Sequence, residues 1–156
     1  SRRIILCPAL FKTLRWRLIM EAKTKTIRLL MKHAEIQSLL DIKAMFGEFS
    51  DAVFERLGDE ADRVIVFSDK TPYACFWFVQ TDNGHNMYSL LTPKAEEHRE
   101  YFEKSLVNQF PDGKIEAIIY NGNKKLYNIL KSVGFSFIKE IKTGVENRVF
   151  NLMSRG

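Results

Sequence analysis

Apolar residues in this chain recur at spacings that switch between two and three-to-four, and each switch marks a new element. Thr24 to Leu30 reads as a first strand. From Lys32 to Gly58 the spacing is helical: Ile36, Leu39, Leu40, Ile42, Met45 and Phe46 make one stripe, Gly47 interrupts it, and Phe49, Val53, Phe54 and Leu57 continue it. This predicts two helices hinged near Gly47, the second closed by Gly58. Arg63–Phe67 and Tyr73–Thr81 are strand-like runs joined by a turn at Ser68–Pro72. Asp82-Asn83-Gly84 is hairpin chemistry leading into a returning strand, His85–Leu91, so the three runs form an antiparallel meander. Thr92 is a candidate N-cap, with Pro93 at the first helical position. Ala95, His98, Tyr101, Phe102, Leu106 and Phe110 mark the buried side of that helix, which Pro111-Asp112-Gly113 ends.

The stretch from Ile115 to Phe135 holds the strongest local signals. Ala117-Ile118-Ile119 lies within a short strand, Ile115–Tyr120, and three consecutive apolar residues suit burial on both faces. Asn121-Gly122 is a turn, and the Asn123 side chain can accept from the free amides of a first helical turn. Leu126, Ile129, Leu130 and Val133 then form an apolar stripe, and Gly134 stands where a helix ends in a left-handed residue. Ser136–Lys142 and Arg148–Met153 close the chain as a hairpin around Thr143–Asn147. The predicted order is βααβββαβαββ, an α/β (α+β) arrangement with a mixed, mostly antiparallel sheet flanked by helices.

A length of 156 residues suits one domain, and 46% apolar residues with 12 Phe suit a packed core. The net charge of +5 suggests nucleic acid until it is located. Residues 1–19 hold Arg2, Arg3, Lys12, Arg15 and Arg17 and no acid, so they account for all of it. The body is neutral, which argues against a basic nucleic-acid face. The pattern divides the chain into a basic, apolar N-terminal arm or leader (1–19) and a single domain (20–156) that opens at Met20. The arm suits docking on a partner or an acidic lipid surface. Its apolar core of about eight residues, with no cleavage site, does not make a secretory signal. No run approaches the ~20 apolar residues of a membrane span. Cys7 and Cys75 read as thiols of a reducing compartment. With no CxxC or HExxH and three scattered histidines, no metal is expected.

The element order, together with Asn123–Phe135, resembles the GNAT N-acetyltransferase fold over roughly residues 24–154. The family pattern Asn-x-x-Ala-x-x-Leu-Tyr-x-x-x-Gly-Phe places its Asn on Asn123, its Ala on Leu126, its Leu on Ile129 and its Gly-Phe on Gly134-Phe135. The resemblance implies acetyl-CoA as cofactor, its pantetheine arm paired with strands ending at Leu91 and Tyr120, and Lys94 and Asn123 beside it. Two departures go with it. The family tyrosine, which reprotonates the leaving thiolate, falls on Leu130, which cannot donate a proton; Tyr127 is three residues early. The glycine-rich pyrophosphate loop is replaced by Leu91-Thr92-Pro93-Lys94-Ala95-Glu96-Glu97, where Pro93 removes an amide and two carboxylates oppose an anion. No catalytic residue is therefore assigned; Glu116 is the one nearby acid to test as a base. Cys75–Asp82 and Asn123–Gly134 further resemble the small GNAT-like internal virion or assembly proteins of T-seven-like short-tailed phages. That resemblance implies a non-catalytic role through contacts with other virion proteins, inside a host cytoplasm or a particle. The alternative is an acyl-CoA-dependent N-acetyltransferase acting on a protein or small-molecule amine.

Overall fold

The computed structural model describes residues 3–8, 29–47, 50–143 and 148–156. The strands are β1 (Arg3–Pro8), β2 (Ala61–Ser68), β3 (Pro72–Thr81), β4 (Gly84–Leu91), β5 (Ile115–Tyr120), β6 (Ser136–Thr143) and β7 (Arg148–Arg155). The helices are α1 (Ile36–Phe46), α2 (Asp51–Glu60), α3 (Arg99–Gln109), reached through a 3-10 segment at Pro93–His98, and α4 (Lys124–Ser132). One seven-stranded sheet runs in the order β1-β2-β3-β4-β5-β7-β6. Pairing is antiparallel except for β1 with β2 and β4 with β5. From α1 onward the predicted order of elements is observed, and β2, β3 and β4 form the predicted meander.

Alternation on each strand sends side chains to two cores. On one face Ile65, Phe67, Phe76, Phe78 and Met87 pack with Phe102 and Leu106 of α3 and with Leu126, Ile129 and Leu130 of α4. On the other, Val64, Val66, Trp77 and Leu90 pack with Ile42 of α1 and with Val53, Phe54 and Leu57 of α2. The α4 stripe is buried as predicted, Asn123 caps it by accepting from the Leu126 N–H at 3.2 Å, and Gly134 has φ +100°.

Several expectations are corrected. Leu29 and Leu30 lie in a short helical segment over 29–33, not at the end of a strand, and 24–28 lie outside the described residues. The first strand is Arg3–Pro8, part of the stretch read as an arm. Gly58 does not end α2, which runs to Glu60 before Ala61 turns extended into β2. Thr92 does not cap by its side chain: its hydroxyl donates to the Tyr73 carbonyl at 2.9 Å, and a 3-10 turn follows. Tyr101 is exposed at the rim of α3. In β5 only Ile115, Ala117 and Ile119 are fully buried; Ile118 is half-covered. The Gly144–Asn147 turn and Phe49 lie outside the described residues.

Candidate functional site

β4 and β5 run parallel but pair only at their starts, where His85 and Asn86 meet Ile115 and Glu116. Beyond that the strands part, so the ladder groups of Met87–Leu91 and Ala117–Tyr120 that face the gap have no strand partner. Unpaired ladder groups in a buried place must find other donors and acceptors. At the open end they find them on α1. The Glu35 N–H donates to the Leu91 carbonyl at 2.8 Å, and the Leu91 N–H donates to Ser38 Oγ at 3.1 Å. Across the gap the Tyr120 N–H donates to Asp41 Oδ1. Glu35, Ser38 and Asp41 are three residues apart, so successive turns of one helical face address the two strand ends.

Asp41 is the most unusual group of the site. It is 5% exposed and also accepts from Asn123 Nδ2 at 2.7 Å through Oδ2. Burial pushes its carboxyl up to about 7, with the hydrogen bonds from Tyr120 and Asn123 pulling the other way. Asn123 is thus spent twice, its oxygen on the α4 cap and its amide nitrogen on Asp41. At the mouth, Lys125 Nζ lies 2.6 Å from Glu35 Oε1 and 3.6 Å from Glu96 Oε2, tying α4 to both α1 and the 3-10 segment.

A cavity of about 370 Å³ opens beside this end, lined by Leu29, His33, Thr71, Pro72, Thr92, Pro93 and Lys94. It lies beside the segment that follows β4, and several donors of that segment are already committed. The Thr92 N–H bonds the Tyr73 carbonyl at 3.0 Å and the Ala95 N–H the Thr92 carbonyl at 3.0 Å. Lys94 Nζ lies 2.8 Å from Asp69, which also bonds His98 at 2.9 Å. The Lys94 ammonium, with the Lys70 and Thr71 amides and His98, holds the Asp69 carboxyl well below the usual carboxylate range.

The predicted site residues therefore divide. Leu91, Tyr120 and Asn123 come together at the gap, while Lys94 stands at its mouth in an ion pair. Glu116 is not in the site: it lies at the paired end of β5 and is held by Lys114 at 3.0 Å. Leu130 is fully buried in the α3–α4 core, and Tyr127 packs half-buried against the same core with Lys131 over its ring. Ser38, Asp41 and Lys125 were not predicted, because polar residues inside an amphipathic helix read as its solvent face. Among the described residues no group of three or more His, Cys, Asp or Glu side chains could hold a metal. Among them, too, no helix is long and apolar enough to cross a membrane.

No family model matches the sequence, and no curated protein does. Solved structures do. The ribosomal-protein-S18-alanine N-acetyltransferase from Escherichia coli superposes with a TM-score of 0.57 at 9% identity, over 92% of this chain and 90% of that one. A putative GNAT-family acetyltransferase from Bordetella pertussis gives 0.52 at 13% identity, over 79% and 94%. A point mutant of a spermidine N-acetyltransferase from Vibrio cholerae gives 0.51 at 13% identity, over 70% and 76%. Against chimeras of that spermidine enzyme the chain spans about three fifths of the other chain's length. At these identities the likeness establishes architecture alone: this chain has a GNAT-like fold.

Proposed function

We propose that this chain is a slow, acyl-CoA-dependent N-acyltransferase of the GNAT type, taking a protein or small-molecule amine as acceptor. One observation carries the reading: β4 and β5 are bridged at a single end and then part, leaving ladder groups at Leu91 and Tyr120 that suit an amide-bearing ligand. The three structural neighbours named above with a TM-score over 0.5 are acetyltransferases by description, and they favour this reading over a purely structural one. Leu91 and Tyr120 would pair the arm of the cofactor by backbone groups, with Asn123 at the start of α4 and Lys94 at the mouth. When bound, acyl-CoA supplies an activated thioester, and the chain's share of catalysis is to align it with an amine. A thiol with a pKa near ~8.5 is a fair leaving group without help. Lacking a general acid at Leu130, the reaction would run about 10²- to 10⁴-fold below a tyrosine-assisted one.

A second reading has observations of its own. The commitment of the Lys94 ammonium to Asp69, the burial of Leu130, and the exposure of Phe137 (46%) and Ile138 (53%) on the edge strand β6 favour a protein-contact role. The resemblance of Cys75–Asp82 to phage assembly proteins points the same way, with other virion proteins as partners. Calorimetric titration of acetyl-CoA, followed by thiol release over a panel of amines, separates the two. Binding with amine-dependent thiol release supports the transferase. Absence of heat and of thiol release at millimolar ligand, together with co-purification of a virion protein, supports assembly.

A further inference from the structure

We infer that helix α1 with its N-cap is an internal plug of the acyl-thioester cleft, the N-cap Glu35 and the helix residues Ser38 and Asp41 standing in for the ligand's amide groups at the parted ends of β4 and β5. The inference rests on the transferase reading above and adds to it a closed resting state. The substitution is chemical as well as spatial. A ligand chain of secondary amides would offer a donor to the Leu91 carbonyl and acceptors to the Leu91 and Tyr120 amides. The Glu35 N–H supplies that donor, and Ser38 Oγ and Asp41 Oδ1 supply those acceptors. Ligand and helix cannot use the same groups at once.

The plug is held from outside the gap as well. Asn123 Nδ2 holds the second Asp41 oxygen at 2.7 Å, and Lys125 holds Glu35 at 2.6 Å. Both partners belong to the first turn of α4 or its cap, so the plug is fastened where the resemblance places cofactor contacts. At its far end α1 stops at Gly47, whose φ of +78° ends the helix in a left-handed residue with open space around it. Among the described residues α1 packs in the second cluster, through Ile42, Leu39 and Phe46, and none of its side chains belongs to the α3–α4 core.

The test compares wild type with Glu35→Ala/Ser38→Ala, which removes the Lys125 pair and the Leu91 acceptor but leaves Asp41 in place. A second variant adds Asp41→Ala, which removes the acceptor of the Tyr120 N–H, in case the double change is too mild. Each protein is first shown to unfold cooperatively. Amide hydrogen exchange at Leu91 and Tyr120 is then read by NMR, and acetyl-CoA is titrated by calorimetry. A plug predicts at least tenfold faster exchange at both amides in the variants, acetyl-CoA binding at least tenfold tighter than in wild type, and reprotection of both amides by the ligand. Unchanged exchange in both variants overturns it, because these contacts then do not hold the helix down. Equal binding by wild type and variants overturns the plug while leaving the acyl-CoA reading standing. Faster exchange with no binding by any protein overturns the plug and the acyl-CoA reading together.

Discussion

The two ends of the β4–β5 pair are closed by different means. At the lower end closure is by backbone: the His85 N–H donates to the Lys114 carbonyl at 2.9 Å, and the strands sit so close that only glycine fits at position 84. At the upper end closure is by a helix, through two side-chain acceptors and the amide of its N-cap residue. A backbone ladder is fixed by the fold, whereas a side-chain plug can be exchanged for a ligand carrying the same donors and acceptors. The lower end therefore reads as structure and the upper end as a site.

The largest expected effect concerns the upper end and pH. Asp41 holds its proton to about pH 7 in the folded chain, against an ordinary value of 3.8. Between those values the folded state binds a proton that the unfolded state does not, so stability falls as pH rises from about 4 to 7. The fall is at most about 4 kcal/mol from this group, and Asp41→Asn should flatten it. Urea unfolding at about pH 4.5 and 7.5 checks this; equal pH dependence in the two proteins would mean that Asp41 is not buried in the gap.

Next comes the lower end. A Cβ at Gly84 would stand 2.1 Å from the Lys114 carbonyl oxygen, on a backbone with φ +143°. Gly84→Ala should cost about 3 kcal/mol by clash and strain, seen as a lowered urea midpoint, whereas Ser38→Ala at the upper end should cost only about 1 kcal/mol. If the two losses were equal, the contrast between the ends would fail. Gly134→Val, outside both ends, should cost more than about 1 kcal/mol, because Gly134 has φ +100° and its Cβ would meet Arg155 Nε at 3.0 Å. The smallest effect belongs to the surface: Arg56→Ala breaks an exposed pair with Glu60 and should leave the urea midpoint nearly unchanged.

The fold was legible where local chemistry and periodicity agree. Asn123, the Leu126–Val133 stripe and Gly134 specify the end of β5, α4 and its termination within one short stretch, and Asp82-Asn83-Gly84 specifies the β3–β4 turn. The pairing of Arg3–Pro8 with β2 was not legible, since a parallel partner far along the chain leaves no local trace. Gly58 misled because a glycine inside a helix resembles a terminator, although α2 here continues to Glu60. Of the candidate site, the strand ends Leu91 and Tyr120 and the cap Asn123 followed from the resemblance. The groups that face them did not. Ser38 and Asp41 share an amphipathic helix with Gln37 and Lys43, and hydropathy assigns all four to solvent; the burial of Ser38 and Asp41 depends on a gap between two strands that are distant in sequence.

The most direct test of the central claim is to follow the backbone amide resonances of the Glu35→Ala/Ser38→Ala protein while acetyl-CoA is added. The expected shifts concentrate at Leu90–Thr92 and Tyr120–Asn123, with little change at His85, Lys114 and Glu116 at the closed end. Shifts confined to other surfaces, or none at millimolar ligand in a protein whose Leu91 and Tyr120 amides exchange freely, would contradict it.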